Sequence, residues 1–256
     1  MPYPTVELIY WRPGIGVNFG DELSRVIVEL MLSRRGITVF DEIPATRRLL
    51  AIGSIIHFAQ DGSVVWGSGL NGSVTADKHK YTTLDVRAVR GPVTRQFLIS
   101  RGIEVPEVYG DPALLINILT NGRYGASKPR KVGLVPHMFD VGTPEVTRFA
   151  SSSEVSIINP ARSWNRVVEE IASCEFVISS SLHGLVVADA YGIPSIYVRV
   201  GEREGLLKYE DYYAGTGRSL HFANSIDEAL SQGPCAPARF DPKPLIDAFP
   251  YDIWRT

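Results

Sequence analysis

The stretch CEFVISSSLHGLVVADAYGIPSIYV, Cys174 to Val198, decides the fold. Glu175 to Ser180 is a short apolar run rich in β-branched residues, and Leu185, Val186, Ala188, Asp189 and Ala190 follow at helical spacing. That order reads as strand, turn, helix. Gly192 and Pro194 stop the helix, and Ser195 to Val200 reads as the next strand, completing one strand-helix-strand unit of a parallel sheet. His183 then sits at the mouth of the helix. The first N–H groups of a helix lack internal partners and carry the positive end of its dipole, so Leu182, His183 and Gly184 offer an anion site beside an imidazole. The same residues also describe a serine N-cap followed by a hydrogen-bonded surface histidine.

The chain has 256 residues, 45% hydrophobic and 21% charged, which suits one or two globular domains with a sizeable core. A formal net charge of −2 without a dense basic run argues against nucleic acid as the main partner. Arg34-Arg35, Arg47-Arg48 and Lys128-Pro-Arg-Lys131 read as solvated helix ends and loops. Cys174 and Cys235 show no metal-ligand spacing and are expected as free thiols in a reducing compartment. MPYPTVELIYW lacks a basic segment before a long apolar core, and no stretch approaches the roughly 20 apolar residues of a membrane span. The expected location is the cytoplasm, either free or against the inner face of the membrane.

Outward from the deciding stretch, Val6 to Trp11 reads as a first strand, followed by a glycine-punctuated loop through Asp21. Leu23, Val26, Ile27, Leu30 and Met31 then fall on one helical face, with Asn18 as cap and Gly36 as stop. Gly14, Gly16 and Gly20 miss the G-x-G-x-x-G spacing, so a nicotinamide site has little support. Leu49 to Ile56, Val64 to Trp66 and Asp85 to Val89 are further strands, and Gly67 to Leu70 is a turn at a strand end. Arg90 precedes a helix begun by Pro92, with Val93, Phe97 and Leu98 facing inward. Val108 to Pro112 reads as a strand end, an acidic turn and a proline-led helix start. Leu119 to Lys131 has linker composition. Beyond it, strands at Val132 to Val135 and Val155 to Ile158 alternate with helices opened at Thr143 and Ser163. Later helices span Leu206 to Tyr213, follow the capping box Ser225-x-x-Glu228, and cover Leu245 to Phe249.

The expected class is α/β, with two Rossmann-like domains facing across a cleft: residues 1–122, residues 123–233, and a C-terminal tail, 234–256. Ligands of such sheets sit between the carboxyl ends of the strands, which gathers the Asn18 to Asp21 loop, the Gly67 to Gly69 turn, Arg90 and Asp111 opposite His183.

Asn18-Phe-Gly-Asp21, Gly67-Ser-Gly69, Asp85-Val-Arg-Ala-Val-Arg90, Gly110-Asp-Pro112, Ser179-Ser-Ser-Leu-His183, Ala188 and Gly192-Ile-Pro194 occur in an order and spacing that resembles the polysaccharide pyruvyl transferase family, from Asn18 to about Gly233. NFGDEL and SSLHGLVVADAYGIPSI look like the ketal-forming enzymes of exopolysaccharide synthesis. The resemblance implies a fold similar to GT-B glycosyltransferases. It also implies transfer of the enolpyruvyl carbons of phosphoenolpyruvate onto two hydroxyls of a sugar, giving a cyclic ketal and phosphate. The first domain would then be the acceptor side and the second the donor side. The donor pocket of the family commonly carries Arg-Leu-His, and here Ser181 stands in place of that arginine. Arg90, Arg162 and Arg199 are the candidates to replace it, Arg90 foremost.

Phosphoenolpyruvate reacts at its central carbon once a proton reaches the methylene carbon, and His183 is the expected acid. Asp21 is the expected base for the sugar hydroxyls, with stabilisation of the first helical turn as its other reading. Ser181, Leu182, His183, Gly184 and Arg90 are assigned to the donor, and Asn18, Gly20, Asp21 and Asp111 to the acceptor. Tyr209, Tyr212, Tyr213 and Trp164 suit either sugar stacking or the core. No cofactor and no metal are expected, and the acceptor is expected to be a lipid-linked saccharide. A nucleotide-sugar glycosyltransferase and a non-catalytic sugar-binding protein are the two other functions the same pattern accommodates.

Overall fold

The computed structural model describes residues 5–11, 17–125, 130–201 and 205–254. Gly14, Gly16 and the Lys128-Pro129 part of the linker lie outside the described residues. Two parallel sheets carry the α/β fold. The first contains β1 (Val6–Ile9), β2 (Arg47–Leu50), β3 (Ser63–Trp66) and β4 (Leu84–Ala88), in that spatial order. The second contains β5 (Arg130–Val135), β6 (Val155–Ile157), β7 (Cys174–Ser179), β8 (Ser195–Val198) and β9 (Phe222–Ala223), ordered β6-β5-β7-β8-β9. The direction of winding reverses between β5 and β7. That is where an open parallel sheet leaves a crevice at its carboxyl edge.

The connecting helices are α1 (Phe19–Ser33), α2 (Pro92–Ser100), α3 (Ile116–Leu119), α4 (Pro144–Thr147), α5 (Trp164–Ala172), α6 (Leu182–Ala190), α7 (Leu207–Gly215), α8 (Ile226–Gln232) and α9 (Lys243–Asp247). α6 has no solvated polar face: Leu182, Leu185, Val186, Val187 and Ala188 are all buried, and so is its carboxylate, Asp189. A helix without a polar face belongs in the middle of a molecule. α6 accordingly packs on β7 and β8 of its own sheet, on α5, and on the 3₁₀ turn Pro112–Leu115 that follows the first sheet. One apolar cluster therefore runs through both halves, joining Phe19 and Leu23 of α1 to Val167 of α5 and Leu185 of α6.

Two segments late in the sequence return to the first half. The Trp66 indole N–H donates to the Leu245 carbonyl at 2.9 Å, the Tyr251 hydroxyl donates to the Met31 carbonyl at 2.8 Å, and the Phe249 ring meets Trp66 edge-on. α7 packs on α2, where Asp211 accepts the backbone and side-chain hydrogens of Thr94, and Asp211 also forms a buried ion pair with Arg90 in the turn before α2, Arg90 Nε to Oδ2 at 3.0 Å.

The structure corrects several expected elements and adds one that was not expected, β9. The strand expected to reach Ile56 ends at Leu50, because Gly53 turns at φ +109° and Ile56–Phe58 winds into a 3₁₀ turn. The strand expected before Asp111 is a single parallel bridge of Tyr109 to Val89. In α2, Val93 is exposed and Thr94 is buried in its place, its hydroxyl taken by Asp211. β9 has only two residues, too few to leave a periodic signal. Where the capping box was expected, the Ser225 hydroxyl accepts the Glu228 N–H at 3.1 Å. Among the described residues no helix is long and apolar enough to cross a membrane.

Candidate functional site

At the carboxyl ends of both sheets lies a cavity of about 260 Å³. From the first half it is lined by Trp11 after β1, Asn18 and Asp21 at the start of α1, Gly53, Ser54 and Ile55 after β2, and Asn71 after β3. From the second half come His137, Met138 and Phe139 after β5, Ser181, Leu182 and His183 after β7, and Lys208 on α7. The β5 and β7 contributions flank the point where the winding reverses.

The serine run before His183 shapes this edge. The Ser179 hydroxyl shares its one hydrogen between the carbonyls of Val135 and Ser181, both at 2.8 Å, and accepts the Ser181 N–H at 3.0 Å, folding the chain back sharply after β7. The Ser180 hydroxyl donates to Asp140 at 2.7 Å and accepts the His137 N–H at 2.8 Å, which ties the β5 loop to the β7 loop. Ser181 begins α6 without a side-chain cap, so the first amides of that helix keep their unpaired donors at the cavity wall. Gly184 lets α6 approach the sheet: a side chain there would come within 3.0 Å of Val135 Cβ and overlap the Ser179 hydroxyl.

His183 is almost enclosed, with 12% of its side chain exposed. Its Nε2 lies 3.8 Å from Asp111 Oδ2, and neither atom makes a hydrogen bond. Burial, together with the nearby charges of Lys208, Arg90 and His137, pushes the imidazole down to about 3. Burial raises the Asp111 carboxyl to about 6, against the Ala113 N–H and Arg90, which lower it. Asp21 stands in the cavity with its carboxyl raised by burial to about 7, opposed by Lys208 and by a hydrogen bond from Asn18. Asn18 also caps α1, its Oδ1 accepting the Gly20 N–H at 3.2 Å.

Five of the residues expected at the site line the cavity together: Asn18, Asp21, Ser181, Leu182 and His183. Four take other positions. Arg90, expected on the donor, is closed off at 1% exposure with its guanidinium spent on Asp211, the Ser54 hydroxyl and the Leu70 carbonyl. It acts on the cavity from behind, by holding Ser54 and by the influence of its charge on His183 and Asp111. Asp111, expected on the acceptor, lies fully buried behind His183. Gly20 packs against the His183 ring, and Gly184 packs against the sheet. Arg162 pairs with Glu170 at 2.8 Å, and neither it nor Arg199 lines the cavity. Tyr209, Tyr212 and Tyr213 are core residues, and Trp164 packs on Tyr124.

Sequence reasoning missed Lys208 and His137. His137 follows β5 as His183 follows β7, and that strand-end position was a signal available to be read. Lys208 had none, because only the packing of α7 against the first half brings it to the cavity. Among the described residues no group of three or more His, Cys, Asp or Glu side chains could hold a metal ion.

Comparison with known proteins places this geometry in context. The model of the polysaccharide pyruvyl transferase family matches residues 18–202. The succinoglycan biosynthesis protein ExoV of Rhizobium meliloti is 25% identical over 207 residues, covering 79% of this chain and 62% of that protein. An uncharacterized protein of Acanthamoeba polyphaga mimivirus is 25% identical over 187 residues, covering 72% of this chain and 64% of the other. This chain thus spans less than two thirds of the length of either relative. Among solved structures, an uncharacterized protein of Klebsiella pneumoniae aligns with a TM-score of 0.46 at 12% identity, over 82% of this chain and 87% of its own.

Proposed function

The chain belongs to the polysaccharide pyruvyl transferase family, and we propose that it transfers the enolpyruvyl carbons of phosphoenolpyruvate to two hydroxyls of an exopolysaccharide sugar, forming a pyruvate ketal and releasing phosphate. The observation that carries this reading is the cavity itself. It combines uncapped helix amides at Leu182 and His183, a lysine ammonium at Lys208, and two proton-transfer groups, His183 and Asp21. A donor with a phosphate and a carboxylate needs fixed positive potential, which Lys208 and the α6 terminus supply without the arginine that Ser181 replaces.

Size points the same way. The cavity, about 260 Å³, falls below the roughly 300–1,000 Å³ usual for drug-sized ligands. It suits a three-carbon phosphate better than a nucleotide sugar. In this reading the two sheets correspond to GT-B-like domains at 1–122 and 123–233, with the tail from 234 packed back on the first. The acceptor is a saccharide carried on a lipid at the cytoplasmic face of the membrane, entering past the exposed Phe139. No cofactor takes part.

The test is phosphate release from phosphoenolpyruvate in the presence of a panel of lipid-linked or aryl-tagged oligosaccharides, alongside thermal stabilisation by each donor class. Acceptor-dependent release and stabilisation by phosphoenolpyruvate are expected. Stabilisation by uridine or guanosine diphosphate sugars alone would transfer the assignment to a glycosyltransferase.

A further inference from the structure

We infer that His183 is the base of this site, with Asp111 as the positioning residue that fixes its tautomer, and that Asp21 is the acid facing it; the inference rests on the pyruvyl-transfer reading above. It reverses the roles expected from the sequence. Asp111 begins the 3₁₀ turn Pro112–Leu115, and its Oδ1 accepts the Ala113 N–H at 2.9 Å, which leaves Oδ2 unpaired and directed at His183 Nε2, 3.8 Å away. A carboxylate oxygen only accepts, so it favours the imidazole tautomer with hydrogen on Nε2. Nδ1 then carries the free lone pair. Gly20 packs against the Nδ1 edge of the ring, where any side chain would overlap that nitrogen, and the ring itself lines the cavity.

The groups facing the ring oppose a second proton on it: Lys208 from α7, Arg90 from the turn after β4, and His137 from the loop after β5. The Asp111 carboxylate, 3.8 Å from Nε2, is the group that favours one among the described residues' ion pairs to this ring. Across the cavity, burial holds the proton on the Asp21 carboxyl up to about pH 7, against Lys208 and the Asn18 amide. Near neutrality a neutral base therefore faces a neutral acid, the separation of protonation states that acid–base pairs require.

The proton inventory closes on these two groups. The Asp21 carboxyl gives its proton to the methylene carbon of phosphoenolpyruvate as the C=C π pair forms the new C–H bond. The first sugar oxygen bonds to the central carbon, and its proton passes to His183 Nδ1. The C–O bond to phosphate then breaks with its electron pair on oxygen, and the His183 imidazolium protonates the departing phosphate. The second sugar oxygen bonds to the same carbon and its proton returns to Asp21. Both groups end as they began, and the products are ketal and hydrogen phosphate.

The direct test is ¹⁵N NMR of histidine-labelled protein without substrates, with the His183 signal assigned by its loss in His183→Gln. Hydrogen on Nε2 and a bare Nδ1 at pH 7 are expected. In Asp111→Asn, the new amide N–H would face Nε2 and move the hydrogen to Nδ1. In the phosphate-release assay, the same variant should lose roughly 100-fold or more in kcat, with KM for phosphoenolpyruvate changed less than about threefold and partial recovery in Asp111→Glu. The fall in kcat above about pH 7 should shift in Asp21→Glu. An imidazolium or a hydrogen on Nδ1 in the unmodified protein, or a tautomer indifferent to Asp111→Asn, overturns the inference. An unmoved alkaline limb overturns the Asp21 assignment. The tautomer is read without donor or acceptor, so absence of phosphoenolpyruvate turnover would refute the functional reading separately.

Discussion

Gly20→Ala tests the geometry around His183 with a single methyl group. Gly20 lies in the first turn of α1, and a Cβ built there would overlap His183 Nδ1 and come within 2.5 Å of its Cγ and 2.8 Å of its Cβ. Ordinary carbon contacts are about 3.5–4.0 Å, so the ring must retreat by about 1 Å. The retreat is obstructed, because the ring is backed by Asp111 and edged by Phe19. A displacement of that size in a reacting group costs on the order of 100-fold in rate. The stability effect should be modest. Overpacking costs about 1–3 kcal/mol, offset by about 0.8–1 kcal/mol from replacing glycine inside a helix. Thermal unfolding should therefore show a midpoint lowered by no more than about 8 °C, while phosphate release from phosphoenolpyruvate falls roughly 100-fold. A variant that folds and keeps its rate within about threefold of the parent would show that His183 does not act from this position.

Lys208→Met removes the ammonium that lines the cavity, and KM for phosphoenolpyruvate should rise by on the order of tenfold or more; steady-state kinetics would contradict this if only kcat changed. The same substitution removes an influence that lowers the Asp21 carboxyl, so the alkaline fall in kcat should move to higher pH. Arg90→Leu leaves the buried Asp211 carboxylate unpaired, a loss of about 3–5 kcal/mol to be read as a midpoint lowered by on the order of 10 °C, against which an unchanged midpoint would count. Asp21→Asn should stabilise the protein at pH 8 by about 1–3 kcal/mol while abolishing turnover. The sign follows from a folded carboxyl held near 7, above its ordinary value of 3.8: the folded state binds more protons between those limits, so the burial penalty is full above pH 7 and fades as pH falls to about 4. Thermal melts from pH 4 to 8 that show no growing gap between variant and parent would contradict it.

The parts of the fold legible in the sequence were those whose cause is local. β7, the turn at Ser179 to Ser181 and α6 follow from a β-branched run, small polar residues and a helical apolar pattern within one short stretch. Asn18 and Ser225 were readable as caps because a cap bonds to a backbone amide two or three residues away. The misread residues depend on distant partners. Arg90 looked available because Asp211, which consumes its guanidinium, lies 121 residues further along the chain. Asp111 belonged to the right cluster and took a different task, since only the packing of α6 on the Pro112–Leu115 turn sets it behind the imidazole. Lys208 reaches the cavity from a helix whose tyrosines, not its lysine, drew the sugar-stacking reading, through the contact of α7 with α2. Val93 and Thr94 exchanged places for a related reason: α2 turns its hydroxyl inward to meet a buried carboxylate, which hydrophobic spacing does not foresee.

The most direct measurement of the central claim is the mass of the saccharide acceptor after incubation with the protein and phosphoenolpyruvate, with released phosphate counted in the same reaction. The account predicts that each modified acceptor gains one pyruvate less one water for every phosphate released, and that His183→Gln abolishes both changes while remaining folded. An acceptor that gains a sugar residue from a nucleotide donor, or one modified equally well by His183→Gln, would contradict it.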